Sequence, residues 1–469
     1  MSQGVRIVLY GGVNEIGGNK FLIIDEKNDT KIFMDFGKSF SLARKYYEFP
    51  LIYPESINEL VSLGAVPDIP YLFTNFYDAW KEKSKLSIEI EPSPPVDAVF
   101  ISHAHMDHYG HISLLNRKIP IYMGACAKRI IETYSNFIYT IRGPELFYRG
   151  LNIQDFRTGK VINVKNSFSV KPIHIDHSVP SAYGFLIYTS VGVIAYTGDF
   201  RWHGSQSYLT DDFVRAAKKE DIRALLVEGT HIHYSEPVTE EDVKKKITEV
   251  VNKTPGLVIA DFSRVDYDRF ATFYEVAKKT GRTLVVDPRR FALMRAISQD
   301  PGIRMRIDLS DESIVVLDRG KRRVSAGEKE VLSSLPDDRK VRLGDIRKHP
   351  EEFIYTVFVG GLKDIKDLKP HGGSIYILSS SEPVDEEREI SFEKLMNWLE
   401  EFGVAMYHIH SSGHANALDI KKLIEEIDPE VVIPIHCERP KLLKKFVNDK
   451  RRWVIPAGKG SEIKILPAS

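Results

Sequence analysis

The hydrophobic positions in the first part of the chain form short runs that polar or glycine-rich turns separate. The runs at 5–10, 20–24 and 31–36 follow one another closely, which predicts an antiparallel opening. Further strands are predicted at 96–101, 121–124, 168–175, 183–189 and 192–196. A helix is predicted over 127–140. Up to about residue 201 the pattern therefore predicts a strand-rich unit with helices between the strands.

After the apolar run at 225–228 the pattern becomes a regular alternation of helices and strands. Amphipathic helices are predicted at 240–252 and 266–280. Strands are predicted at 256–260, 283–286, 352–359 and 374–378. A β-α-β rhythm of this kind indicates a parallel sheet, because parallel strands need crossover connections. The chain is therefore predicted to contain a second, α/β unit.

The length and composition agree with two structural units in one soluble chain. With 469 residues the chain exceeds the size at which a single hydrophobic core stops growing. Lysine plus arginine and aspartate plus glutamate both number 65, so no overall basic field indicates a polyanionic partner. Two cysteines, no signal-peptide pattern and no apolar run of membrane-spanning length favour a cytoplasmic protein without a membrane partner.

The densest chemical feature is the sequence Ser-His-Ala-His-Met-Asp-His that follows the predicted strand 96–101. It contains His103, His105, Asp107 and His108, which are four potential metal ligands within six positions. Neutral imidazoles and an ionised carboxylate are a donor set that Zn²⁺ prefers. Ordinary loops are rich in Gly, Pro, Asn, Asp and Ser instead, so this density predicts a metal site.

Additional donors follow later apolar runs in the same way. His177 follows the strand predicted at 168–175, Asp199 follows 192–196, and His436 follows the apolar run 431–435. Each alone is more often a structural residue than a ligand. Because a sheet presents strand ends at a common edge, however, we expect these side chains to converge on the first cluster.

These residues resemble the successive motifs of the metallo-β-lactamase superfamily, and His105 at the second ligand position resembles its dinuclear zinc hydrolases. The resemblance implies an αββα sandwich that binds two Zn²⁺ ions per chain. By that resemblance, one zinc is held by His103, His105 and His177, and the other by Asp107, His108 and His436. Asp199 then bridges the two ions, and Asp35 orients ligands without binding metal.

Three residues downstream narrow the resemblance to the β-CASP nucleases. Glu228, His414 and His436 match motifs A, B and C of that family, in which an α/β domain is inserted into the lactamase fold. The implied organisation is a lactamase domain in two parts, 1–205 and 386–469, around a β-CASP domain at 206–385. Histidine at motif C resembles the RNA-processing branch of that family. The glycine-rich turn at 11–19 and the Ser-Gly-His-Ala of motif B are similar to ribonuclease J, in its short archaeal form.

The resemblance implies a ribonuclease that hydrolyses single-stranded RNA from 5′ to 3′, with endonuclease activity and a homodimer as further expectations. The candidate catalytic residues are Asp107, His414 as general acid or oxyanion stabiliser, and Glu228 holding the tautomer of His414. Candidate contacts to substrate phosphate are Ser379, Ser380, Ser412, Gly413 and His414. The family's glycines are missing from the serine stretch at 379–383, so selection of the RNA 5′ end stays open.

Two other functions remain compatible with the sequence. One is a different dinuclear-zinc hydrolase, such as a DNA nuclease or a hydrolase of small esters, in which the inserted domain covers the site. The other is a catalytically silent RNA-binding scaffold, against which the complete ligand set argues. The residues between 38 and 95 form a long insertion whose role the sequence does not define.

Overall fold

A computed structural model describes residues 4–48, 51–73, 93–137, 148, 150–233, 238–303, 307–320, 324–358, 361–380 and 386–467. Within these ranges, no helix combines the length and the apolar character that crossing a membrane requires. Residues 74–92 of the insertion, the end of the helix predicted at 127–140, and positions 381–383 of the serine stretch lie outside the described residues.

The secondary structure is mixed throughout the chain. In chain order the strands are β1 (Val5–Leu9), β2 (Phe21–Asp25), β3 (Thr30–Met34), β4 (Ala98–Ile101), β5 (Ile121–Gly124), β6 (Ile153–Phe156), β7 (Ile162–Lys165), β8 (Phe168–His174), β9 (Tyr183–Thr189), β10 (Gly192–Tyr196), β11 (Ile222–Glu228), β12 (Val258–Asp261), β13 (Thr283–Val286), β14 (Ile314–Leu317), β15 (Lys340–Val341), β16 (Phe353–Val357), β17 (Ile375–Leu378), β18 (Ala405–His408), β19 (Val431–Ile435), β20 (Arg452–Trp453) and β21 (Ser461–Ile465).

The α-helices are α1 (Phe40–Tyr46), α2 (Ile57–Ser62), α3 (Met106–Tyr109), α4 (Ala125–Ser135), α5 (Tyr208–Ala217), α6 (Glu240–Asn252), α7 (Tyr267–Thr280), α8 (Pro288–Ser298), α9 (Ala326–Ser334), α10 (Leu343–Lys348), α11 (Leu362–Leu368), α12 (Glu386–Glu401), α13 (Ala417–Ile427) and α14 (Pro440–Val447).

Two seven-stranded sheets pack face to face and form the larger unit. The first has the strand order β21-β1-β2-β3-β4-β5-β6 and the second has β20-β19-β11-β10-β9-β8-β7. Their inner faces share one apolar core, to which Phe100 of the first sheet and Phe185 of the second contribute. Helices cover the outer faces, for example α5, α13 and α14 on the second sheet. This is the αββα sandwich that the sequence resemblance implies.

A third sheet forms the inserted unit, with strand order β15-β14-β13-β16-β12-β17-β18 and all neighbours parallel. Helices α10, α11 and α12 pack on one face. The other face belongs to a core that continues into the outer layer of the first sheet. The β-α-β pattern of the sequence therefore predicts this architecture correctly, because a helix lies between strands that follow one another in the chain.

Several elements have the predicted bounds, and the antiparallel opening β1-β2-β3 is confirmed. Sheet membership differs from the expected domain boundaries at 205 and 385. Strand β11 pairs with β10 and β19 in the second sheet, and β18 pairs with β17 in the third. We therefore propose that the inserted domain begins after Glu228 and ends at His408.

Candidate metal centre

The candidate ligands lie where strands of the two facing sheets end. His103 follows β4, His177 follows β8, Asp199 follows β10, and His436 follows β19. The strands supply rigid supports, and the turns after them direct the polar side chains to one edge. Convergence of side chains more than three hundred positions apart is thus a consequence of sheet topology. The structure brings together all seven ligands that the sequence predicts.

Three imidazoles form the first donor cluster. Nδ1 of His105 lies 3.0 Å from Nε2 of His103 and 3.1 Å from Nε2 of His177. Zn–N bonds of about 2.05 Å at tetrahedral angles separate two ligand nitrogens by about 3.3 Å. The observed spacing therefore suits three nitrogens that share one ion.

Two carboxylates and two imidazoles form the second cluster, which contains Asp107, His108, Asp199 and His436. Nε2 of His108 lies 3.1 Å from Oδ2 of Asp199, and Nε2 of His436 lies 3.2 Å from Oδ2 of Asp107. Asp199 also lies 3.8 Å from Nε2 of His103, so its carboxylate faces both clusters. This is the position that a bridging ligand requires.

The electrostatics of the first cluster favour neutral imidazoles. Burial, followed by the neighbouring imidazoles, holds the pKa of His103 and of His177 well below the usual value. Burial also lowers the pKa of His105 to about 4, although the nearby carboxylates oppose this shift. At neutral pH one nitrogen of each imidazole can therefore bind a metal ion without first losing a proton.

The second cluster is held by opposite charges. Burial raises the pKa of Asp199, but the imidazoles of His108 and His436 outweigh burial and hold it well below its usual range. Burial lowers the pKa of His108, yet the carboxylates of Asp199, Asp107 and Asp35 raise it well above its usual value. A cation is thus favoured at this position, whether it is a proton on His108 or a metal ion that replaces the proton.

The residues fit a metal ion by a second criterion. Oδ1 of Asp199 is buried and has no hydrogen-bond partner within the described part of the chain. A buried carboxylate oxygen without a partner is costly unless it binds a cation. His103, His105 and His177 would hold one zinc ion, and Asp107, His108 and His436 the other, with Asp199 between them.

Asp35 orients His108, as the sequence predicts. Its carboxylate accepts hydrogen bonds from Nδ1 of His108 (2.7 Å), from the backbone N–H of Ser102 (2.6 Å) and from the hydroxyl of Ser102 (2.8 Å). Tyr196 donates a further hydrogen bond to it. Because Nδ1 of His108 is occupied, Nε2 is directed at the second cluster.

Glycine at two turns permits the close approach of these loops. A Cβ atom at Gly37 would lie 1.6 Å from the carbonyl oxygen of Asp107. Gly198 has a φ of +58°, and a Cβ there would lie 2.8 Å from the carbonyl oxygen of Tyr183. Side chains at these positions would therefore displace the loops that carry Asp107 and Asp199.

The half-buried His414 pairs with the buried Glu228 beside the second cluster. Nδ1 of His414 donates to Oε2 of Glu228 over 3.0 Å, and Glu228 is fully buried. Burial lowers the pKa of His414, but the carboxylates of Glu228, Asp199 and Asp107 outweigh it and raise the pKa to about 9. Nδ1 is therefore committed to Glu228, which leaves Nε2 as the nitrogen for a substrate.

Thr230 connects this pair to the metal ligands, and the sequence analysis missed it. Its hydroxyl donates to Oε2 of Glu228 over 2.6 Å and accepts from Nδ1 of His436 over 2.8 Å. Glu228 thus orients His414 directly and His436 through Thr230. The available signal was the position of Thr230, two residues beyond Glu228 at the same strand end.

The serines that the sequence predicts as phosphate contacts have different environments. Ser379 is buried, and its hydroxyl donates to the carbonyl oxygen of Ile409 over 2.6 Å while accepting from Arg269. The single hydrogen of that hydroxyl is therefore used within the protein, where it holds the end of β17 to the segment after β18. Ser380 is half-buried, and its carbonyl oxygen accepts from His408.

The turn that carries His414 lies directly over the first cluster. The carbonyl oxygen of Gly413 accepts from Nδ1 of His177 over 2.5 Å. The hydroxyl of Ser412 accepts from the backbone N–H of His414, and the carbonyl oxygen of Ser412 accepts from His203. The turn is therefore fixed against one of the predicted ligands.

Comparison with known proteins agrees with this geometry. Residues 65–251 match the model of the β-lactamase superfamily domain, and residues 404–445 match that of the Zn-dependent metallo-hydrolase RNA specificity domain. The first range includes the ligands from His103 to Asp199. The second includes His414 and His436.

The chain is similar over most of its length to proteins called ribonuclease J. It is 24% identical to ribonuclease J of Pyrococcus abyssi over 451 residues, which cover 92% of this chain and 90% of that one. It is 24% identical to ribonuclease J of Mycoplasma genitalium and 26% identical to ribonuclease J 1 of Streptococcus pyogenes. These matches cover 92% of this chain in both cases, and 68% and 69% of those proteins.

A crystal structure of an Enterococcus faecalis protein of unknown function has the same fold. The TM-score is 0.75 with 22% sequence identity, and the match covers 98% of this chain and all of that one. The family models, the similarity over most of the chain and the ligand motifs agree with one another. The chain belongs to the metallo-β-lactamase superfamily, in its β-CASP, ribonuclease J-like family.

Proposed function

We propose that this protein is a zinc-dependent ribonuclease that hydrolyses phosphodiester bonds of single-stranded RNA from the 5′ end, with endonuclease activity at internal sites. Metal-dependent hydrolysis is the activity of the family to which the chain belongs. The observation that carries the proposal is the hydrogen-bonded pair of His414 and Glu228 beside two donor clusters that share Asp199. RNA as substrate is supported by the RNA specificity match and by the relatives called ribonuclease J.

When bound, zinc ions lower the pKa of water and neutralise the nonbridging phosphate oxygens. Phosphodiester hydrolysis needs two further groups, which the protein chain supplies. Nε2 of His414 donates a proton to the leaving oxygen, because Glu228 holds the Nδ1–H and fixes the tautomer. The hydroxyl of Ser412 accepts from the backbone N–H of His414 and keeps its own hydrogen as a donor for a phosphate oxygen.

The stoichiometry of two zinc ions per chain, a homodimer and a cytoplasmic location are parts of the same proposal. Two ions are supported by the two adjoining donor clusters, each of which offers at least three ligand atoms. The ribonuclease J relatives support a protein that acts on RNA, and the low cysteine content supports the cytoplasmic location. The homodimer rests on the family alone.

Zinc-loaded protein incubated with 5′-monophosphate and 5′-triphosphate RNA tests the proposal through the lengths of the products. We expect mononucleotides from the 5′-monophosphate RNA, and only internal fragments from the triphosphate RNA. His103→Ala removes a ligand that is fully buried and should abolish both activities, whereas His371→Ala replaces an exposed histidine and should abolish neither. RNA degradation that survives His103→Ala would exclude the proposal. Hydrolysis of a small ester without RNA cleavage would favour a different hydrolase.

A further inference from the structure

Two fully buried arginines lie between the lactamase sandwich and the inserted domain. Arg201 comes two positions after Asp199, and Arg269 lies in the first turn of α7. Both donate to the carboxylate of Glu240 at the start of α6, Arg201 over 3.2 Å and Arg269 over 3.1 Å. Arg201 also donates to Asp268, the neighbour of Arg269. The two arginines and these carboxylates form one network across the domain boundary.

On the lactamase side the network reaches two of the loops that carry candidate metal ligands, the loop of His177 and the loop of Asp199. Nε of Arg201 lies 3.4 Å from Oδ1 of Asp176, the residue that precedes His177. The backbone N–H of Arg201 donates to the carbonyl oxygen of Asp176 over 2.8 Å. The loops that carry Asp199 and His177 are thereby joined to one guanidinium group.

On the side of the inserted domain, Arg269 joins the ends of two neighbouring strands. One Nη donates to the carbonyl oxygen of Ser379, after β17, over 2.9 Å. The other lies 3.5 Å from the carbonyl oxygen of Ser411, three positions before His414. The segment from β18 to His414 is the return of the chain from the inserted domain to the sandwich. Its position therefore depends on how the two domains are held together.

Apolar packing does not fix the domains at this point. A cavity of about 600 Å³ separates the loop at 202–208 from helices α6 and α7, and Glu240 and Asp268 line it. Buried ion pairs contribute little net stability, because desolvation offsets their attraction, but they specify one geometry. Such a network suits precise positioning better than it suits stability.

We propose that Arg269, acting through Glu240 and Arg201, is a positioning residue that sets His414 against the metal centre. The inference rests on the proposed function, since it concerns the proton that His414 donates to the leaving oxygen. A displacement of about 1 Å at a catalytic group can reduce a rate roughly 100-fold. Loss of Arg269 should therefore impair the step that needs an acid and spare metal binding.

The test compares Arg269→Gln with wild type on RNA and on bis(p-nitrophenyl) phosphate, whose leaving group departs without a proton. We expect kcat on RNA to fall roughly 100-fold, with KM, zinc content and hydrolysis of the nitrophenyl ester unchanged. Arg269→Lys, which keeps a donor, should recover part of the rate. Arg282→Gln is the matched control, because Arg282 is a largely buried arginine whose guanidinium group donates to carbonyl oxygens at the opposite end of the third sheet.

The inference is overturned if Arg269→Gln cleaves RNA at the wild-type rate. It is also overturned if the variant loses activity on RNA and on the nitrophenyl ester in parallel. A second readout does not depend on the substrate. In a crystal structure of zinc-loaded Arg269→Gln or Glu240→Gln, Nδ1 of His414 should no longer lie 3.0 Å from Glu228. An unchanged contact overturns the inference even if RNA proves not to be the substrate. Wild-type protein that leaves RNA intact refutes only the proposed function.

Discussion

Thr230→Val should weaken the second metal position and leave the first intact. The substitution keeps the shape of the side chain but removes the hydroxyl of a residue that is 7% exposed. Oε2 of Glu228 keeps its hydrogen bond from His414, whereas Nδ1–H of His436 loses its acceptor. A buried donor without a partner costs about 1–3 kcal/mol. Changes beside metal ligands typically reduce metal affinity 10–100-fold, which is the same range of free energy.

The assay is a titration of metal-free protein with zinc, by calorimetry or against a chromogenic chelator. Wild type should bind two ions. Thr230→Val should bind one with unchanged affinity, through the cluster of His103, His105 and His177, and the other 10–100-fold more weakly. Thr248→Val is the control, because Thr248 is as buried as Thr230 and its hydroxyl donates to a helix carbonyl oxygen in the inserted domain. Equal weakening of both ions, or of neither, would refute the assignment of Thr230 to His436.

His414→Ala should lower kcat on RNA by a factor of roughly 10²–10⁴ while both zinc ions stay bound, because a general acid contributes a rate enhancement of that size. Loss of zinc in the variant would instead make His414 a ligand. Chelated protein should lose stability as the pH falls from about 6.5 towards 4. Five histidines have lowered pKa values because they are buried, so the unfolded chain binds more protons at them: His103, His105, His174, His177 and His410. The raised pKa values of His108, His414, Asp176 and Asp266 oppose part of this loss. Urea denaturation at several pH values measures this loss, and a flat profile would contradict the pKa shifts.

Local pattern was sufficient for many of the strands and for some of the helices. β9, β10, β13 and α6 have the predicted bounds, because alternating or continuous apolar runs ended by turn residues are short-range signals. The domain boundaries were harder to predict. β11 continues the second sheet and β18 continues the third, and strand partners are long-range contacts that the pattern of one segment does not contain.

The candidate site likewise contains residues that the sequence predicted and residues that it did not. The spacing from His103 to His108 indicates metal chemistry by itself, and the resemblance supplies His177, Asp199 and His436. Thr230 and Arg269 were not predicted. Each is an ordinary polar residue whose role depends on a partner in another part of the chain.

Ser379 is a residue for which the sequence suggested a role that its observed hydrogen bonds do not support. Its place in the sequence suggested a phosphate contact, but tertiary structure turned its hydroxyl towards Ile409 and Arg269. The sequence by itself thus determined the elements, the ligand-rich turn and the chemical class of the site, because these depend on residue type and spacing. Tertiary structure decided which polar groups face the metal centre and which support it. The physical reason is that a hydroxyl or guanidinium group acts through its hydrogen-bond partners, and folding alone brings those partners together.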